Sequence, residues 1–524
     1  MNFLRDLPVL VLGLGDSGLA MVRWCVRHGA QVTVWDSREV APGDAALRAD
    51  LPQVQRLFSL PVPLGKGEAR APQLILKSPG LAPSDNRIAA LLQEARDTGT
   101  AVLGELDLFA RALADLKETS AYTPQLLAIT GTNGKTTTTA MTALLVERAG
   151  KRVALAGNIG PTLLDTLSAC LDREQPQWPE VWVLELSSFQ LEGGGTGVQR
   201  GALGFEPDAA VVLNITQDHL DWHGTMAAYS AAKARVFGSH ALMVINRDDA
   251  AVEAMVPVPV PVAAKGKVKV ADRPVPRPTL RFGLDAPRRP GDFGLVVENG
   301  MAWLVRALPY DGTFKKKKDE EEEIHLQRLM PADALRVRGR HNAANALAAL
   351  ALATAIGCPL APMLHGLREY EGEPHRVQFI ASIDGVEVFD DSKGTNVGAT
   401  VAALLGLGAD KAPGQLVVIL GGEGKGQDFS PLAAPLREHA RAVATIGKDA
   451  AAIEAVIAVI AGVPVQRFVS LELAVAWTFA QARSGDAVLL SPACASLDMF
   501  RNYVHRAEVF VAAVQGLAAD RGQA

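Results

Sequence analysis

The chain has 524 residues, 21% of them charged, and a net charge of −5 with acidic and basic residues interspersed. At ~100–200 residues per domain this length predicts roughly three globular units, and the mixed charge leaves no basic face for a nucleic-acid partner. Cys25, Cys170, Cys358 and Cys494 are dispersed and form no CxxC pair, which speaks against a disulfide framework or zinc knuckle and for a reducing cytoplasm.

The opening, MNFLRDLPVLVLGLGDSG, has only a short apolar run, and it ends in a glycine turn carrying Asp16 instead of a cleavage site. It reads as a first strand. From Pro8 to about Ser120 the runs LPVLVLG, AQVTVWD and QLILKSPG alternate with alanine-rich stretches of helical spacing, the pattern of a doubly wound α/β unit. Gly13-Leu14-Gly15-Asp16-Ser17-Gly18, with Asp36 closing the next strand, fits the dinucleotide fingerprint. A pyrophosphate on this turn suits NAD and a UDP-sugar equally, and a tight turn without ligand is the bland alternative.

The second series, from Gln125 to about Gly372, contains LLAITG, VWVLELSS, AAVVLNIT and ALMVIN. In LLAITGTNGKTTTT a buried strand enters Gly131-Thr132-Asn133-Gly134-Lys135-Thr136-Thr137 and then a helical stretch. Glycine amides and the helix N-terminus suit phosphate oxygens, Lys135 neutralises charge, and a threonine hydroxyl can hold Mg²⁺, so nucleotide binding follows. Ile129 occupies the position where the usual loop has its first glycine, so this is a shortened variant.

In an open parallel sheet ligands gather at the carboxyl ends of the strands. There stand Asn158 after VALAG, Glu185, Ser187, Ser188 and Gln190 in LELSSFQ, and Asp218 and His219 in NITQDHLDWH, all expected to face the loop. A buried Glu185 requires an ion or a partner, which suits an oxygen-rich Mg²⁺ site beside the γ-phosphate. His219 alone reads equally well as a capping or core histidine. From composition Lys233, in YSAAKARVFG, is a solvated surface lysine, and Asn345, in HNAANALAALALA, is equally a helix cap or first-turn residue. The uncharged stretch from Ala346 to Leu364 is broken by Gly357, Pro359 and Pro362 and reads as a buried helix, not a membrane span. Near 257–330 an antiparallel excursion is expected: Pro257 to Pro290 is proline-rich and basic, and Asn299-Gly300 in VVENGMAWLV signals a tight hairpin. Lys315 to Lys318 followed by Asp319 to Glu323 reads as a solvated loop.

From His375 to the end, GVEVFDDSKGTN, QLVVILGGEGKG and DAVLLSPACAS repeat the strand-then-polar design. Asp391, Lys393, Thr395 and Lys425 follow strands, and the two lysines suit anionic groups brought from another domain or are simply exposed. Ser491 to Asp498 places small residues before a predicted helix whose amides would receive a carboxylate. Cys494 reads as a packed residue, since no histidine stands near it in sequence.

Taken in order, GTNGKTT, GNIG, LELSSFQLE, QDHLDWHG, AAK, HNAANALAAL, PHR, DDSKGTN, GGEGKG and SPACASLD resemble the Mur ligases over nearly the whole chain, the insertions excepted. SPACASLD, with no Asp-Asn-Pro-Arg sequence, resembles the member that adds D-glutamate; the N-terminal unit separates the chain from the folate relative. The resemblance implies three α/β domains: a Rossmann-like UDP-substrate domain over 1–120, a P-loop ATPase-type domain over 121–372, and a Rossmann-like domain for amino acid and ATP over 373–524. It implies a cytoplasmic, monomeric ligase of peptidoglycan synthesis that joins D-glutamate to UDP-N-acetylmuramoyl-L-alanine with ATP and two Mg²⁺ ions. Ser17, Asp36 and Ser78 would hold UDP, and Asn158, Ser187, Gln190 and His219 the muramoyl-alanine part. Lys135 and the loop amides would bind phosphates, Thr136 and Glu185 one Mg²⁺, and Asn345, Arg376, Asp391 and Lys393 the rest of the nucleotide. Lys233 matches a lysine carbamylated in the family, which reverses the reading from composition and supplies, with His219, a second Mg²⁺ site. D-Glutamate would meet Thr395, Lys425, Ser496, Leu497 and Tyr503, the last replacing an expected phenylalanine. Three rivals carry less: a nicotinamide dehydrogenase leaves the phosphate loop unexplained, a non-catalytic binder of UDP-muramoyl compounds has no need of Lys135, Glu185, His219 and Lys233, and an ATP-driven motor has only the loop in its favour.

Overall fold

The computed structural model describes residues 2–60, 71–192, 204–257, 277–309, 324–337, 339–460 and 462–523. The proline-rich stretch within Pro257–Pro290 and the charged run from Lys315 to Glu323 lie largely or wholly outside them. Among the described residues no helix is long and apolar enough to cross a membrane.

Five short apolar runs build the first sheet: β1 (Pro8–Leu12), β2 (Gln31–Trp35), β3 (Gln55–Leu57), β4 (Leu74–Lys77) and β5 (Ala101–Leu103), all parallel in the order β3-β2-β1-β4-β5. Leu12 lies beside both Trp35 and Lys77, so the turns after β1, β2 and β4 leave from one edge. The helix Asn86–Thr98 shows how local chemistry sets its ends: the Asp85 side chain accepts from the Arg87 amide, and Gly99 closes it at φ +73°.

The second sheet is also parallel: β6 (Gln125–Thr130), β7 (Val153–Gly157), β8 (Val181–Glu185), β9 (Ala209–Val212), β10 (Leu242–Asn246) and β11 (Thr279–Phe282), in the order β11-β10-β9-β6-β8-β7. Glu185 pairs with Ile129 on one side and Gly157 on the other, which aligns the ends of three strands beside the glycine loop. The alanine-rich helix Arg340–Ala355 is buried almost all round, packed against the helix Lys135–Arg148 and the sheet. It stops before Gly357, and a separate helix spans Leu360–Glu369.

The antiparallel excursion begins later than expected. β11 still continues the parallel sheet, and only β12 (Phe293–Glu298), β13 (Met301–Pro309) and β14 (Ile324–Pro331) form an antiparallel sheet. Asn299 and Gly300, at φ +52° and +78°, make the hairpin turn that the pair signals. The third large sheet has the order β15-β16-β20-β17-β18-β19, from β15 (Gln378–Ile383), β16 (Val386–Asp390), β17 (Leu416–Gly421), β18 (Ala440–Ile446), β19 (Val465–Arg467) and β20 (Ala487–Leu490). β15 is antiparallel to β16, and the remaining pairs are parallel.

Candidate active site

The phosphate loop starts where β6 ends. Gly131 and Gly134 have φ +155° and +82°, and a Cβ on Gly134 would lie 2.6 Å from Asn345 Oδ1, so only glycine fits there. Asn214, after β9, braces the loop by accepting from the Asn133 amide at 2.8 Å and donating to its carbonyl at 3.1 Å. Lys135 opens the helix and folds back to donate to the Gly131 and Thr132 carbonyls at 2.9 and 2.8 Å. Burial lowers its pKa, as does Arg376, while Glu185 and Asp218 oppose this.

Lys233 contradicts its reading from composition as a surface residue. It is 2% exposed and donates to the same Gly131 carbonyl at 2.8 Å and to Thr130 Oγ1 at 3.4 Å. Desolvation and then the Lys135 charge push its pKa well below the usual lysine range, favouring the neutral amine. Tyr229 lies one helical turn earlier, bonds Thr132 Oγ1 at 3.1 Å, and was missed; its spacing of four from Lys233 was the available signal.

Glu185 is 1% exposed; Oε1 accepts from Asn158 Nδ2 at 2.7 Å, and Oε2 is buried without a hydrogen-bond partner. An orphaned buried carboxylate oxygen on the strand beside the one that enters the phosphate loop fits a hard cation. Among the described residues no three His, Cys, Asp or Glu side chains converge as a ready metal site. His219 stands at φ +52°, with Nε2 3.6 Å from Asp218 Oδ2 and its ring 4.7 Å from that of Phe189. Burial lowers its pKa, against the nearby Asp218. Ser187 and Gln190 hold one another, the serine amide and hydroxyl both donating to Gln190 Oε1 at 3.0 and 3.1 Å.

The C-terminal sheet delivers its loops to this place because Asp390, Leu490 and Ile419 share a register. Arg376 Nη2 donates to Thr136 Oγ1 at 2.5 Å, and Asn396 Nδ2 donates to Asn133 Oδ1 and Asp218 Oδ2 at 3.1 and 3.2 Å. Asp391 accepts from Ser491 Oγ at 2.6 Å, and complete burial raises its pKa to about 7 despite that bond and Arg376. Lys393 lies 3.9 Å from the Tyr503 ring centre, and the His375 ring is 6.1 Å from the same ring. A cavity of about 80 Å³ lined by Gly134, Asn345, Arg376, Asp391 and Lys393 marks where the domains meet. It is far below the ~300 Å³ that small-molecule pockets need.

Two further expectations are corrected. Asn345 is no cap: Gly339 caps the helix, and Asn345 lies in its second turn, buried and donating to Asn342 Oδ1 at 3.1 Å. No helix follows directly on Ser491–Asp498; the next begins at Tyr503, with the Asn502 side chain accepting from the His505 amide. The segment instead meets the loop after β17 through a bridge of Glu423 with Ala495, which sets the Lys425 and Ser496 loops side by side. Lys425, at φ +51°, and Leu497 are exposed, Ser496 is buried, and Thr395 bonds back to the Lys393 carbonyl at 2.8 Å. Arg506, fully buried, was missed as well; it donates to the Ser392 and Cys494 carbonyls and so ties two of these loops together. Cys494 is packed and its thiol is pushed up to about 12 by burial.

A separate constellation lies on the first sheet. Gly13 has φ +91°, Ser78 Oγ donates to its carbonyl at 3.1 Å, and a Cβ on Gly18 would stand 2.0 Å from that carbonyl. Asp36 accepts from the Leu14 amide at 2.7 Å and from Arg38; burial alone would raise it, but these bonds hold it at about 2. Ser17 lies in the first turn of the following helix, beside the buried Glu105.

Three family profiles match the chain: "Mur ligase MurD-like, N-terminal domain" over residues 8–104, "Mur ligase middle domain" over 129–270 and "Mur ligase, glutamate ligase domain" over 375–494. The chain is 59% identical over 527 residues to the UDP-N-acetylmuramoylalanine–D-glutamate ligase of Albidiferax ferrireducens, covering 100% of this chain and 99% of the relative. It is 51% identical to the protein of the same name from a Polaromonas species, with all of both chains covered. Among solved structures, MurF ligase from Thermotoga maritima in complex with ADP superposes with a TM-score of 0.55 at 16% identity, covering 98% of this chain and 96% of that one, which speaks to the fold.

Proposed function

Because the chain belongs to the Mur ligase family, we propose that it joins D-glutamate to UDP-N-acetylmuramoyl-L-alanine, converting ATP to ADP and phosphate, in peptidoglycan precursor synthesis. The observation that carries the reading is convergence: Lys135, Thr136, Glu185 and Lys233 from one domain and Arg376, Asp391 and Lys393 from another meet at one glycine loop.

Residues 1–120 take the UDP end through Ser17, Asp36 and Ser78, residues 121–372 take ATP, and residues 373–524 supply D-glutamate contacts at Thr395, Lys425, Ser496, Leu497 and Tyr503. The loop amides and Lys135 neutralise the phosphates while the L-alanyl carboxylate attacks the γ-phosphorus in line, giving an acyl phosphate and ADP. Asn158, Ser187, Gln190 and His219 orient the muramoyl-alanine part so that this carboxylate lies near the loop. The neutral amine of D-glutamate then attacks the acyl carbon, and the tetrahedral intermediate collapses to the amide with loss of phosphate. Mg²⁺, which the family uses, would supply charge screening to the phosphates when bound. Thr136 and Glu185 suit one ion, and His219 with a carbamylated Lys233 a second. Arg376 bonds Thr136 and the cavity is small, so the C-terminal domain has to swing away to admit ATP and close again to exclude water. We further read the protein as a cytoplasmic monomer.

The deciding experiment measures phosphate release from ATP and Mg²⁺ with UDP-N-acetylmuramoyl-L-alanine, comparing D-glutamate with L-glutamate, L-lysine and meso-diaminopimelate. Release and peptide product with D-glutamate alone are expected. Stimulation by a different amino acid would overturn the C-terminal assignment, and no release with any of them would overturn the ligase.

A further inference from the structure

Where the first sheet meets the loop after β9, a lysine is buried that the chemistry above does not use. Lys77 ends β4 and is 2% exposed. Its ammonium donates to the Leu81 carbonyl at 2.8 Å and lies 5.4 Å from the ring centre of Trp222, a residue of the central domain. A buried ammonium with one carbonyl acceptor is costly. Burial lowers the pKa of Lys77 to about 8, and the nearby Glu192 and Asp107 carboxylates offset part of that while the aromatic face offers further negative potential.

Trp222 carries the contact inward. Its ring centre is 4.4 Å from that of Phe189, whose ring meets His219 at 4.7 Å, and its indole N–H donates to Glu192 Oε2 at 3.4 Å. The same Glu192 oxygen is 3.2 Å from His223 Nδ1, and His223 Nε2 bonds Ser188 Oγ at 3.0 Å. His219 itself heads a four-residue helix, Leu220–His223, in a left-handed conformation uncommon outside glycine, though histidine adopts it more readily than most residues. The Phe189 ring, itself against Trp222, and the Tyr229 ring both face it.

We propose that Lys77 and Trp222 form an interdomain clasp that positions His219, so that the seating of the UDP-substrate domain sets the geometry of the catalytic loop. Both are positioning residues, acting through Phe189. The inference rests on the role given to His219 above and adds to it a pair drawn from two domains.

The test uses the full chain with Lys77→Met, Lys77→Arg, Trp222→Phe and Trp222→Ala, each checked for an unchanged melting profile. Methionine keeps the stem and removes the charge, and kcat is expected to fall about five- to thirty-fold, the range of a partly to fully desolvated cation–π contact. KM for D-glutamate, which binds elsewhere, stays put. Arginine, which also lies over aromatic faces, restores kcat to within about threefold, and Trp222→Phe is milder than Trp222→Ala. Wild-type kcat in Lys77→Met, or Lys77→Arg as slow as Lys77→Met, overturns the clasp. Trp222 emission, taken as the difference between each protein and its Trp222→Phe counterpart, gives a readout independent of turnover. A shift between the wild-type chain and Lys77→Met supports the contact, and coincident spectra refute it. A wild-type chain without ligase activity would instead strike the functional reading, leaving emission to judge the contact.

Discussion

Depleting carbon dioxide is expected to switch this ligase off through Lys233. The ammonium groups of Lys135 and Lys233 donate to one carbonyl at 2.9 and 2.8 Å, so they stand at most about 5.7 Å apart, the sum of those distances. At an effective dielectric constant of ~20 two positive charges so placed repel by about 3 kcal/mol or more. Burial is the larger cause, and together the two lower the pKa of Lys233 well below the usual lysine range. Were the neutral amine to add CO₂ and lose a proton, as proposed above, the site would change from cation to anion and repulsion from Lys135 would become attraction of similar size. In degassed, bicarbonate-free buffer we expect kcat to drop about 10²- to 10³-fold, the loss typical of removing one charge-stabilising group, and to recover on adding bicarbonate. Lys233→Met and Lys233→Arg should be slow and insensitive to bicarbonate. With ¹³C-bicarbonate, a carbamate carbon resonance is expected in the wild-type chain and not in Lys233→Met. A rate indifferent to bicarbonate together with no carbamate resonance would refute the reasoning. The sign with pH follows from the depressed pKa. Between that value and 10.5 the unfolded chain binds more protons than the folded one, so the uncarbamylated protein gains stability from this residue as pH rises.

Gly18→Ala would set a methyl group 2.0 Å from the Gly13 carbonyl, so calorimetry should show loss of UDP-substrate binding with ATP binding retained; unchanged affinity would contradict the close packing of this turn. Glu105 is buried, accepts from the Leu164 amide at 3.0 Å, and burial raises its pKa from 4.5 to about 7. Its contribution is therefore full below pH 4.5 and lost as pH rises through 7. Glu105→Gln should remove that decline, on the order of 3 kcal/mol, and parallel melting curves of the two proteins against pH would refute this. Tyr503→Phe should be close to wild type because Lys393 meets the ring, at 3.9 Å from its centre, whereas Tyr503→Ala should weaken steady-state substrate binding about five- to thirty-fold; a defect in the phenylalanine variant would assign the hydroxyl a role.

Much of the architecture is legible in the chain. Period and composition mark β1, β6, β8, β17 and β20, the order glycine loop then helix marks the nucleotide site, and Asn299-Gly300 marks a hairpin, because each depends on neighbours in sequence. The exceptions differ in origin. β11 joins the parallel sheet although it lies in a proline-rich region, since pairing with β10 is decided by the partner and not by the strand's own residues. Asn345 resembles a cap by type, yet the helix starts at Arg340 and leaves it one turn inside.

What the sequence by itself determined is the inventory: the phosphate loop, the carboxylate at the end of β8, the lysines after strands, and their family resemblance. Tertiary structure alone decided which of them meet. Lys233 lies on an alanine-rich helix where composition predicts solvent, and only the folded arrangement buries its amine on Thr130 and the Gly131 carbonyl beside Lys135. Arg376 reaches Thr136 across 240 residues, and Lys77 reaches Trp222 between domains. Burial and charge proximity are properties of the folded arrangement, and they hold the pKa of this lysine well below the usual range, so no reading of neighbours along the chain can supply them.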